Sequence, residues 1–295
     1  MSKKLINLSK DMQDVYSVYC MPTDTSVSLD SVILSYKNRK KLDEFLTESK
    51  YKEEFLKHGL KPINRVLMYG ASGTGKTYLT TALANHLGYE LLAIDISNAL
   101  AAGVASKALS DVFALANEIE DAIIFLDECD AICWARDDKD NDDTGEIRRA
   151  NNTLFQLLDR LNPRCLFVSA TNLYRNLDPA FVRRFNVKME FDRPSSESID
   201  PAIKKFLHPD FTYEKNMKQE VKDIVLKQVD DYDRLSYHAI KDWVERVEKQ
   251  AIIDNSKIIR EASIYWYLEQ ELRIQVKQND KGDYYLHQFA KGQYS

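Results

Sequence analysis

Eight consecutive residues, Gly70-Ala71-Ser72-Gly73-Thr74-Gly75-Lys76-Thr77, constrain this chain more than anything else in it, because they satisfy every position of the pattern G-x-x-x-x-G-K-[ST]. The pattern carries chemistry only where it joins a buried strand to a helix. Both flanks comply: Val66, Leu67, Met68 and Tyr69 form a short apolar run, and helical periodicity follows over 78–87. At such a turn the glycines let backbone N–H groups face a β-phosphate at the positive end of the helix dipole. Lys76 is then placed to bridge the β- and γ-phosphates, and the Thr77 hydroxyl to hold Mg²⁺. Ser72, Gly73, Thr74, Gly75 and Tyr78 complete the residues expected to contact nucleotide, so the expected ligands are ATP and Mg²⁺.

A second anchor lies downstream. Ala122, Ile123, Ile124, Phe125 and Leu126 read as a buried strand, and the run ends abruptly in Asp127 and Glu128. Paired carboxylates at the end of so apolar a strand suit the lining of a site. Asp127 is expected to coordinate Mg²⁺, directly or through water, and Glu128 to polarise the attacking water. Further strands are expected over 90–96, 165–170 and 187–191, with helices over 106–119 and 147–161. Five strands alternating with helices specify an α/β fold, a five-stranded parallel sheet between helices, with ligands at the carboxyl ends of the strands.

Composition bounds the rest. The 295 residues, 44% hydrophobic and 29% charged, suffice for a large core. No run approaches the roughly 18 apolar residues of a membrane span, and residues 1–10 lack an apolar signal region, so a cytoplasmic protein without membrane partners is expected. The net charge of −5 argues against broad nucleic-acid binding. Cys20, Cys129, Cys133 and Cys165 show no CxxC spacing and read as buried reduced thiols rather than a disulfide framework or zinc site.

Over 30–255 the chain resembles the AAA+ ATPases, and within them the AAA clade. The resemblance rests on GASGTGKT at 70–77, IIFLDECDAI at 123–132, SATN at 169–172 and LDPAFVRRF at 177–185, the last two matching the second region of homology. It implies that Asn172 is the sensor that reads the γ-phosphate and helps orient the lytic water. It further implies that Arg183 and Arg184 are paired arginine fingers, acting on a neighbouring subunit's nucleotide in a hexameric homo-oligomer. Arg148 and Arg149 read equally as inter-subunit contacts or as a solvated helix face.

The expected organisation is an N-terminal arm over 1–29, a P-loop NTPase subdomain over 30–193, a small helical lid over 194–280, and an aromatic-rich tail over 281–295. No further strand of consequence is expected after Pro194. A lid helix starts at Ser236 and buries Ile240, Trp243, Val244, Val247 and Ala251 on one face. Its opening turn carries Tyr237 where the clade has glycine, and His238 reads as a surface or capping histidine. Threading relatives carry an aromatic residue in the loop after the second strand; residues 97–106 have none, leaving Leu100 and Val104 either as apolar substrate contacts or as ordinary core. The acidic stretch 136–145 opens like a calcium loop, but its closing position is Asn151 rather than glutamate. Gln293-Tyr294-Ser295 only approximates a peptidase-docking terminus. Two functions follow: a ring that hydrolyses ATP to remodel an unidentified protein partner, or a nucleotide switch or assembly factor acting on DNA or protein without threading.

Overall fold

The computed structural model describes residues 18–20, 27–134, 144–214, 222, 235–259, 274–278 and 284–288. The expectations for most of the N-terminal arm, for the calcium-like stretch and for the terminal Gln293-Tyr294-Ser295 lie outside the described residues. The chain divides into two units, 1–71 with 75–192 and 72–74 with 193–295.

In the first unit, the central strands form where apolar residues run together, while the edge strand over 187–191 alternates, with Lys188 and Glu190 between Val187, Met189 and Phe191. The strands are β1 (Val18–Cys20), β2 (Arg65–Gly70), β3 (Glu90–Ile94), β4 (Ala122–Leu126), β5 (Leu166–Thr171) and β6 (Val187–Phe191). Their order in the sheet is β1-β3-β4-β5-β2-β6. Strands β2 to β6 are all parallel, as expected, and β1 adds an antiparallel edge with Val18 opposite Ile94. That edge strand is a sixth, beyond the five parallel strands expected. Three residues are too few to leave a periodic signal.

Unbroken apolar runs fit a sheet buried on both faces. Leu67, Ile124 and Leu126 pack on one face with Leu109, Val112 and Phe113. Val66, Met68, Ile123 and Phe125 pack on the other with Leu42, Phe45, Leu79 and Leu83. The helices supplying those partners are α1 (Tyr36–Lys50), α3 (Lys76–Leu87) and α5 (Ala105–Ile119); between them lie the short α2 (Lys52–Lys57) and α4 (Ile96–Ala101). Helix α6 (Thr144–Asp159) covers α5, and the single turn α7 (Pro179–Val182) follows β5. Strand β6 ends the sheet, and side chains of α1 occupy two of its carbonyls: Asn38 Nδ2 donates to Glu190 O at 2.6 Å and Lys41 Nζ donates to Lys188 O. The buried cysteines Cys129, Cys133 and Cys165 are free thiols. Burial pushes Cys129 up to about 12, which leaves it inert as a nucleophile.

In the second unit, α8 (Ser196–Phe206) packs against α9 (Tyr237–Ile253). Ser236 caps α9 by accepting from the Ala239 N–H at 3.1 Å, and Ile240, Trp243, Val244, Val247 and Ala251 are buried as their spacing requires. Asp200 of α8 pairs with Lys222. The unit is not purely helical. Strands β7 (Thr212–Tyr213) and β8 (Ile258–Ile259) pair in parallel, and β9 (Ile274–Gln278) pairs antiparallel with β10 (Tyr284–Gln288). This corrects the expectation that no strand of consequence follows Pro194. The alternation Ile274-Gln275-Val276-Lys277 is a period-two signal that the surrounding charge obscures. No described helix is long and apolar enough to cross a membrane.

Candidate functional site

Parallel pairing sets β4, β5 and β2 side by side, so their carboxyl ends converge. Gly70 closes β2 at φ +140°, and a Cβ there would lie 2.1 Å from Phe191 O. The chain therefore leaves the strand through a point only glycine can occupy. We expect Gly70→Ala to destabilise the fold by about 3 kcal/mol or more, adding backbone strain to an immovable steric clash. Urea denaturation of the full chain checks this; an unshifted midpoint would refute it.

Gly75 is the N-cap of α3 at φ +102°, which places Lys76 at the first helical position. Lys76 is buried, and its Nζ donates to Gly70 O and Ala71 O at 2.8 Å each and to Asn172 Oδ1 at 2.7 Å. Burial lowers its pKa, against the pull of Asp127 and Asp130. An ammonium held mainly by neutral oxygens in a half-dry site is poised to receive an anion. Next in the helix, Thr77 Oγ1 donates to Asp127 Oδ2 at 3.2 Å. Hard oxygen ligands of this kind, a hydroxyl beside a carboxylate, suit Mg²⁺. Glu128 follows at φ +50°, exposed, and its N–H donates to Asp127 Oδ1 at 2.9 Å. Thus Lys76, Thr77, Asp127 and Asn172 form one group, with Glu128 at its solvent edge.

The remaining expected residues are dispersed. Tyr78 turns its hydroxyl to Ser31 Oγ at 2.8 Å. Ser72, Gly73 and Thr74 belong to the second unit, where Gly73 O accepts from the His238 N–H at 3.1 Å. A Cβ on Gly73 would lie 2.7 Å from Ser236 Oγ, so glycine permits that approach. The His238 side chain is exposed, and Tyr237 reaches Ser198 Oγ at 3.3 Å.

The two arginines differ. Arg183 is exposed, with Nε donating to Pro179 O at 3.2 Å. Arg184 meets Asp159 in a fork of two 3.0 Å bonds, donates Nη1 to Ala180 O at 2.9 Å, and lies 4.4 Å from the Phe155 ring centroid. The Arg184 hydrogen bond holds the Asp159 carboxyl below its ordinary range. An acid at a helix carboxyl end is unfavourable, and Arg184 offsets that cost for α6.

Residues 97–106 are not an open loop. Asp95 caps α4 through the Asn98 N–H at 3.0 Å, and Leu100 and Val104 are partly buried against the core. Sequence reasoning assigned no role to Asp130, Thr171, Tyr69 or Tyr174. Thr171 Oγ1 donates to Asp130 Oδ1 at 2.5 Å, and the Tyr69 and Tyr174 rings stack 3.9 Å apart. The third acid in Asp127-Glu128-Cys129-Asp130 was the visible signal.

Comparison with known proteins matches residues 66–193 to the family model "ATPase family associated with various cellular activities (AAA)". Over those residues the chain carries an AAA domain. Its AAA match begins in β2 and ends at Arg193, spanning Lys76, Asp127, Glu128, Asn172 and both arginines. Among similar AAA proteins is an uncharacterized AAA family ATPase of Sinorhizobium fredii, 31% identical over 59% of this chain and 53% of that protein. Proteasome-activating nucleotidase 1 of Haloferax volcanii is 34% identical over 49% of this chain and 37% of its own length. A 26S proteasome regulatory subunit 6B homolog of Dictyostelium discoideum is 30% identical over 76% and 52%. The chain thus spans about half or less of the length of these relatives.

Proposed function

We propose that this chain binds ATP with Mg²⁺, hydrolyses it within a homo-oligomeric ring, and uses the cycle to remodel a protein partner in the cytoplasm. The observation that carries the reading is the convergence of Lys76 Nζ on Asn172 Oδ1 at 2.7 Å beside the Thr77–Asp127 pair at 3.2 Å. Thr77 and Asp127 would hold Mg²⁺, which supplies charge neutralisation on the phosphates when bound. Lys76 binds and orients the phosphates, giving up its contacts with Gly70 O and Ala71 O. Asn172 and Glu128 orient the water, and the Glu128 carboxylate takes up its proton.

Arg183, exposed at the end of α7, is the residue we assign to the neighbouring subunit's nucleotide. Arg184 would join it only by exchanging its Asp159 partner. The packing of Leu100 and Val104 against the core favours a second reading, a switch or assembly factor that acts without threading a polypeptide. The net charge of −5 favours a protein over nucleic acid as the partner in either case.

Nucleotide that bridges subunits should drive assembly. We expect Glu128→Gln with saturating ATP to run as a larger species than the nucleotide-free chain in light scattering at micromolar concentration. A wild-type chain that stays monomeric under ATP while turning it over fully would sink the trans assignment.

A further inference from the structure

Asn172 sits at a joint fastened on both sides. Before it, Thr171 Oγ1 donates to Asp130 Oδ1 at 2.5 Å and accepts from the Leu173 N–H at 2.8 Å, tying the end of β5 to the turn that follows Glu128. After it, Tyr174 stacks on Tyr69 with ring centroids 3.9 Å apart and planes inclined by 21°. Tyr69 precedes Gly70 and is the register partner of Thr171 across β2 and β5. Both fastenings therefore reach the two segments that carry Lys76 and Glu128. Between them the Asn172 side chain is exposed, yet its Oδ1 meets Lys76 Nζ. An exposed amide on an untethered loop would sample several rotamers and lose that aim.

Tyr69 and Tyr174 also lie partly buried at the margin of the core, so a simple packing role predicts that any apolar side chain of similar size suffices. A stack at 3.9 Å needs a flat ring instead. The two roles make different demands on position 174.

We propose that the Asp130–Thr171–Leu173 hydrogen-bond chain and the Tyr69–Tyr174 stack together hold Asn172 in register with Lys76, making Thr171 and Tyr174 positioning residues for ATP hydrolysis. The proposal rests on the ATPase reading given above. It assigns to Tyr174 an effect on turnover rather than on nucleotide affinity, because the ring touches the strand behind the loop and not the phosphate-facing group.

The test uses the full chain carrying Tyr174→Leu, Tyr174→Phe or Thr171→Val, with kcat and KM from phosphate release, ATP affinity from calorimetry and the thermal midpoint measured in parallel. Misplacement of a water-orienting group should lower kcat about tenfold or more in Tyr174→Leu and in Thr171→Val, with ATP affinity within about twofold of wild type. Tyr174→Phe keeps the flat ring and should restore kcat. Wild-type kcat in either Tyr174→Leu or Thr171→Val overturns the proposal. So does a Phe variant as slow as the Leu variant, or a loss of kcat that only tracks loss of folded protein. Failure of the underlying reading looks different: Lys76→Ala would bind ATP as wild type does, or the wild type would show no turnover, and the positioning role would fall with it.

Discussion

Glu128→Gln should leave ATP bound and unhydrolysed, with kcat reduced by about 10²–10⁴, the range expected when a positioned proton acceptor is removed. Glutamine keeps the size and polarity of the side chain but takes no proton from water. The Asp127 and Thr77 oxygens are untouched, so the proposed Mg²⁺ binding should persist. Lys76→Ala should behave differently, because it deletes the buried ammonium that the loop carbonyls and Asn172 hold in place. ATP affinity should then fall by about a hundredfold, as when a charge-assisted phosphate contact is lost. Calorimetric titration of both variants separates the effects. Equal ATP affinity in Lys76→Ala and wild type would remove Lys76 from the site.

Arg183→Ala should lower kcat by about 10³, the lower end of what an arginine supplied in trans contributes to phosphoryl transfer. Its thermal midpoint should stay near wild type, since the described contact is one bond to Pro179 O on an exposed side chain. Arg184→Ala should instead cost about 1–2 kcal/mol of stability by removing a partly exposed ion pair and a cation–π contact. Mixing subunits sharpens the distinction. Arg183→Ala chains combined with Lys76→Ala chains should regain turnover, because each supplies the half that the other lacks. Full activity of Arg183→Ala alone would reassign that residue.

The parts of the site that were legible in the sequence are those encoded by neighbours in the chain. The loop 70–77 and the acids after β4 are local patterns, and the strand lengths around them follow from unbroken apolar runs buried on two faces. What escaped depends on pairing between distant segments. The contact of Tyr69 with Tyr174 requires the β2–β5 register that sets Tyr69 opposite Thr171. The hold of Asp159 on Arg184 requires α6 to end beside α7, which no motif in either segment announces. Helix α4 escaped for another reason. Its signal, Asp95 with Asn98 three residues on, is local but sits in an alanine-rich run that reads equally well as a turn.

The guarded edge at β6 bears on how copies of this chain can meet. With Lys41 and Asn38 already seated on the carbonyls of Lys188 and Glu190, an incoming strand must compete for those acceptors, which disfavours continuing the sheet there. A neighbouring subunit meeting this edge in the proposed ring would then be expected to join it through side chains rather than through those two carbonyls. Such a junction can slide and reseat as nucleotide is bound and lost, whereas a continuous ladder of backbone bonds would weld adjacent subunits into a single inflexible ribbon.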